Sequence, residues 1–105
     1  MATKKTIPRT KWSKEQLEKY IRKESLVTPN VIFTEHVLVQ MKKRKILQAW
    51  VFETLRKGRI KLHPEFDSFK GDVKCRMEYF VAGTDVRVVV AISDDDPNLV
   101  LVTAI

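Results

Sequence analysis

Cysteine is almost missing from this chain. Cys75 stands alone, so neither an internal disulfide framework nor a cysteine-based zinc site can be built. The only histidines, His36 and His63, are too few for a histidine-rich metal cage. Glycine is also scarce, and the sequence holds no glycine-rich phosphate loop, zinc-protease helix motif or nucleophile elbow. Neither a metal nor a cofactor is expected. No apolar run approaches the ~20 residues that a transmembrane helix needs. The start, Met1-Ala2-Thr3-Lys4-Lys5, reaches Pro8 and Trp12 without the apolar stretch of a secretory signal. The expectation is a cytoplasmic protein with no membrane partner.

What the chain does hold is positive charge. Its 105 residues carry 20 Lys+Arg against 13 Asp+Glu, a formal net charge of +7. Hydrophobic residues make up 44% and charged residues 31%, a globular balance that supports one core. The charge is unevenly placed. Between Met41 and Lys61 lie Lys42, Lys43, Arg44, Lys45, Arg56, Lys57, Arg59 and Lys61, against Glu53 alone. A local excess of this kind attracts polyanions, RNA first among them. A solvated, merely solubilising helix face is the bland alternative. Binding to a membrane surface fits less well, because the small core needs these helices' apolar residues.

The expected fold follows from periodicity. Residues 1–11, basic and broken by Pro8, read as a mobile arm ahead of a single domain at 12–105. Ser13 and Gln16 form a possible capping box, and Leu17, Tyr20 and Ile21 recur at helical spacing to near Ser25. Thr28-Pro29-Asn30 turns the chain, and Val31-Ile32-Phe33 makes a strand stub or buried extended segment. Thr34 can cap a second helix with the stripe Val37, Leu38 and Met41, closed by Lys42-Lys43-Arg44-Lys45. Leu47, Trp50, Val51, Thr54 and Leu55 then mark a third helix, with Gly58 at its C-cap.

Beyond Gly58 the period becomes two. Strands are expected over Arg59–His63, Val73–Val81, Val86–Ile92 and Leu99–Ile105, with a loop over Phe66–Gly71. Val86–Ile92, nearly all β-branched, reads as a central strand covered on both faces. Helices first and strands afterwards give an α+β domain, its N-terminal helices packed on a four-stranded, mainly antiparallel sheet.

Three residues could carry chemistry. His36 lies one turn into a helix, with Gln40, Lys43 and Arg44 on the same edge, where neighbouring cations favour a neutral imidazole suited to a general base. A packed or solvated histidine is the alternative. Arg76 projects opposite the Val73-Cys75-Met77-Tyr79 set, where a guanidinium can clamp a phosphate or merely face water. Thr103 is a hydroxyl in an otherwise apolar last strand, which strand propensity alone explains. His63, before Pro64, reads as structural or exposed, and Cys75 as core. Asp94-Asp95-Asp96 is too short a pattern for a calcium loop.

The stretch Phe33-Thr34-Glu35-His36-Val37-Leu38-Val39-Gln40-Met41-Lys42-Lys43-Arg44-Lys45-Ile46 resembles the opening of a small domain family. Leu55–Ile60, Val86–Ala91 and Leu101-Val102-Thr103-Ala104 continue the likeness, which covers residues 31–105. That family is grouped with the barnase–EndoU–colicin–RelE superfamily of metal-independent ribonuclease toxins. The resemblance implies a RelE-like fold and a catalytic set of His36, Arg76 and Thr103. Gln40, Lys43, Arg44, Lys45, Arg59 and Lys61 would bind RNA phosphates, and an acidic antitoxin or immunity protein would neutralise the toxin. One departure matters: the family has Arg where this chain has Gln40, so one phosphate-binding cation is missing. Two further readings stay open, a non-catalytic nucleic-acid-binding module and a domain that docks an acidic protein.

Overall fold

The computed structural model describes residues 7–105. Three helices, α1 (Lys14–Glu24), α2 (Glu35–Arg44) and α3 (Gln48–Lys57), pack on a six-stranded, mostly antiparallel sheet. Its strands are β1 (Val31–Phe33), β2 (Arg59–Ile60), β3 (Glu65–Asp67), β4 (Asp72–Val81), β5 (Thr84–Ser93) and β6 (Leu99–Ala104). The strand order is β1-β6-β5-β4-β2, with β3 pairing β4 beyond the end of β2. β1 runs parallel to β6 and the other pairs are antiparallel. The α+β class is therefore as expected, with six strands in place of four. β1 finds its partner across nearly the whole chain, Val31 opposite Leu99. β3 falls where the sequence reads as a loop, because Pro64 and Asp67 mask its pairing with Asp72–Lys74. β2 stops at Ile60 rather than His63.

Local chemistry sets the helix starts. The Ser13 hydroxyl accepts from the Gln16 N–H while the Gln16 side chain accepts from the Ser13 N–H, a complete capping box. Thr34 caps α2 by accepting from Val37 N, and its hydroxyl also donates to Leu101 O at 2.8 Å, fixing the helix start to β6. Lys45 ends α2 in the left-handed region at φ 56°. Of the stripe expected on α2, Val37 and Met41 are buried, whereas Leu38 is 48% exposed. It lies about 100° around the helix from Val37 and misses the sheet.

The mobile-arm expectation covers residues 1–11; residues 1–6 lie outside the described part of the chain. Arg9–Lys11 does not dangle but forms a 3-10 turn bound to the loop after β5. Arg9 donates to the Ser93 and Asp94 carbonyls at 3.1 and 2.8 Å, and Thr10 donates through both its N–H and hydroxyl to the Asp94 carboxylate. The acidic loop thus serves as a docking point for the N-terminal segment.

One core lies between the helices and one sheet face. It gathers Leu17, Ile21, Val37, Val51 and Leu55 from the helices with Cys75, Met77, Val88, Val90, Leu99 and Leu101 from the strands. Among the described residues, no helix lies over the opposite face. β5 is accordingly covered by helices on one face: Val86, Val88, Val90 and Ile92 are fully buried, while on the other face Arg87 is exposed, Val89 half-buried and the small Ala91 buried. Burial raises the Cys75 thiol to about 12. Its stabilising contribution is complete below the ordinary thiol pKa and is lost as pH climbs toward that value. Cys75 is expected to resist a thiol-specific chromogenic disulfide at neutral pH and to react once denaturant unfolds the chain; rapid reaction of the native protein would contradict this packing.

Candidate functional site

The open sheet face is organised in rows that cross the strands. In one row Arg76 on β4 stands opposite Val89 on β5, and Val89 stands opposite Thr103 on β6. Directly paired residues share a face, so the guanidinium and the hydroxyl flank Val89 from strands roughly 10 Å apart. A β-bulge produces this. Strict alternation from Leu99 and Leu101 would send Thr103 into the core. The register shifts between Val89 and Val90, leaving Val102 unpaired. The side chains beyond it swap faces, so that Ala104 is buried and Thr103 joins the open side.

Arg76 is not free. Its Nε donates to Glu78 Oε2 at 3.1 Å, and Nη2 lies 3.1 Å from the same oxygen. Glu78 Oε1 faces Arg87 Nε at 3.6 Å. Lys74, one alternate position before Arg76, donates to Asp67 and Asp72 at 3.1 and 3.2 Å. Partial burial pulls the Lys74 pKa down, but these two carboxylates outweigh it and hold the ammonium above its ordinary value. The Lys70 N–H and the Lys74 ammonium in turn hold the Asp67 carboxyl below the usual range. The middle of the open face is therefore a lattice of compensated charges rather than a bare cationic surface.

His36 is exposed in the first turn of α2. The same helix reaches β6 through Gln40, whose carboxamide oxygen accepts from the Ala104 N–H at 3.1 Å. That bond satisfies a donor on the strand's backbone just past Thr103, and it needs the acceptor oxygen of an amide. A guanidinium has no acceptor to offer. Arg76 and Thr103 thus share the open face, whereas His36 is exposed on α2, a helix of the layer that packs on the other face, and makes no hydrogen bond to either of them among the described residues.

The basic residues do not make one surface. Lys42, Lys43, Arg44 and Lys45 end α2, which packs on β6. Arg59 and Lys61 line a cleft at the far side of the sheet, beside β4. α3 runs between the two groups and is about 15 Å long. Arg56 belongs to neither: it donates twice to the Ser25 carbonyl and stacks 4.8 Å from the Phe52 ring. Conversely, His63, read as structural or exposed, lines the same open-face cleft as Arg76, together with Leu62, Glu65, Lys74 and Val89. Its nearness to Arg76 depends on the turn at Pro64, for which His63-Pro64 was the one available signal.

Among the described residues, no group of three or more His, Cys, Asp or Glu side chains could hold a metal ion, and no helix is long and apolar enough to cross a membrane. Residues 33–105 match the family described as a domain of unknown function, DUF4258. No curated protein and no solved structure matches the chain.

Proposed function

The chain belongs to the DUF4258 family, and we propose that it is a metal-independent endoribonuclease toxin, RelE-like in fold, held in check by an acidic antitoxin or immunity protein. The observation that carries this reading is the Thr103–Val89–Arg76 row on the open sheet face, made possible by the bulge at Val102. RNA brings its own nucleophile, the 2′-hydroxyl, so such a site needs only a base and groups that hold the phosphate. His36 takes the 2′-proton as the 2′-oxygen attacks phosphorus. The 5′-oxygen leaves and takes up a proton from water, giving a 2′,3′-cyclic phosphate and a 5′-hydroxyl. Arg76 meets the charge that grows on the non-bridging oxygens, and Thr103 donates to one of them. Lys43, Arg44 and Lys45 hold the backbone on the β6 side, and Arg59 and Lys61 hold it on the β4 side.

The test is incubation of the purified protein with RNA in excess EDTA. Cleavage that persists and leaves 2′,3′-cyclic ends supports the proposal; intact RNA, or products with other ends, refutes it. A second reading, a non-catalytic RNA-binding module, is favoured by the Arg76–Glu78 ion pair and by the commitment of Gln40 to Ala104. Salt-sensitive RNA binding without cleavage would select it.

A further inference from the structure

The cleft at the β2 side of the sheet differs from the catalytic row in both shape and charge. It measures about 300 Å³ and is lined by Lys57, Gly58, Arg59, Lys61, Glu78, Tyr79, Phe80 and Asp85. Phe80 is 65% exposed, unusual for a phenylalanine on a strand. It belongs to the open face: counting along β4, it lies two alternate positions beyond Arg76, or about 13 Å. Arg59 stands opposite Glu78 across the β2–β4 pair. Arg59 and Lys61 have no salt bridge among the described residues, whereas Lys57 lies 3.5 Å from Glu53. Of the two acids lining the cleft, Glu78 is already met by Arg76 and Arg87. Only the Asp85 carboxylate, opposite Phe80 on β5, is left to face the cations.

An exposed aromatic ring beside uncompensated cations fits a base and its phosphate. Bases stack on aromatic side chains in single-stranded RNA, and the backbone is held by neighbouring cations. From this we infer that the cleft is a nucleotide subsite for single-stranded RNA, with the base stacked on Phe80 and the flanking phosphate held by Arg59 and Lys61. The strand then runs along β4 from this anchor toward Arg76. Asp85 is positioned to accept from a base or ribose donor and supplies whatever selectivity the subsite has. The inference rests on the RNA reading above but does not need cleavage.

Binding of a fluorescein-labelled 2′-O-methyl oligoadenylate of about ten nucleotides, which cannot be cut, separates the two. Phe80→Ala is expected to weaken binding about tenfold or more, and Phe80→Trp to restore it. Arg59→Gln combined with Lys61→Gln should weaken binding and flatten the dependence on salt. Phe69→Ala, at a 97% exposed position in the β3–β4 turn, should change nothing. If the wild type binds the oligonucleotide and Phe80→Ala binds it equally well, the subsite is wrong while RNA binding stands. If the wild type does not bind it at all, both fall. If polyglutamate binds wild type and Phe80→Ala alike, and as well as RNA does, the cleft is a charge patch for an acidic protein and the stacking role is overturned.

Discussion

Replacing Arg76 by Ala is expected to lower RNA cleavage about 10²–10³-fold, the usual cost of one donor aimed at developing oxyanion charge. The thermal unfolding transition should stay close to that of the wild type. The guanidinium lies on the open face, part-exposed and outside the core, and Glu78 keeps Arg87 as a partner after the change. His36→Ala should match the loss in activity without loss of fold, since His36 is exposed. Glu78→Gln should act in the opposite direction on binding. It removes the carboxylate that neutralises Arg76, so RNA affinity rises and the slope of log affinity against log salt steepens by about one. Gel assays of cleavage and binding across a salt series measure both. Arg76→Ala and His36→Ala proteins that cut RNA at wild-type rates would remove the catalytic assignment altogether.

Much of the helical layer can be read without coordinates, because its signals are local. Ser13 and Gln16 announce the start of α1, and Thr34 that of α2. Lys42–Arg44 crowd the last turn of α2, where cations meet the helix dipole. β4 is equally plain, since Val73, Cys75 and Met77 alternate inward and Gly83, at φ 76°, suits the turn that follows, whereas the nearly unbroken apolar run of β5 hides which of its faces the helices cover. Features that depend on a distant partner are different. β1 is three apolar residues until β6 pairs with it, and β3 is hidden behind proline and aspartate.

The candidate site divides along the same line. Arg76 is assigned correctly to the open face by alternation on its own strand. Its ion pair with Glu78 follows from the same alternation, since residues i and i+2 of a strand share a face, but whether the two side chains meet depends on rotamers that the sequence does not fix. Thr103 joins that face only through the bulge, and a bulge is a property of the β5–β6 register rather than of either strand's composition. The basic tract misleads for a related reason. Basic residues on either side of α3 in the sequence are carried by it to opposite sides of the sheet, and Arg56 is drawn into structural work on Ser25. Linear charge density therefore overstates the continuity of the surface.

The largest stability effect is expected from Gly58→Ala, and backbone conformation is not the reason. Gly58 has φ −74°, a value open to any residue. What is missing is space. A Cβ built there meets the Thr54 carbonyl oxygen at 2.4 Å and the Glu78 carbonyl oxygen at 2.7 Å, both of them backbone atoms. Neither can swing aside. The Thr54 carbonyl accepts from the Gly58 N–H to close α3, and Glu78 pairs with Arg59 in the sheet. The Gly58 carbonyl is itself gripped by Arg22 of α1, with Nη2 at 2.7 Å. A methyl group therefore forces α3 away from β4 and strains the α1 contact as well. Overpacking costs about 1–3 kcal/mol where side chains can yield, and occasionally more. With two rigid partners about 3 kcal/mol or more is expected, which lowers Tm by at least about 12 °C for a domain of this size. Gly71→Ala and Gly83→Ala give the contrast. Their φ values of 69° and 76° carry left-handed strain, but nothing lies within 4 Å of the added atom. Each should cost only about 1–2 kcal/mol. Thermal melts followed by circular dichroism rank the three. If Gly58→Ala melts no lower than the other two, the helix end and the strand can separate cheaply, and the close contact is not what joins them.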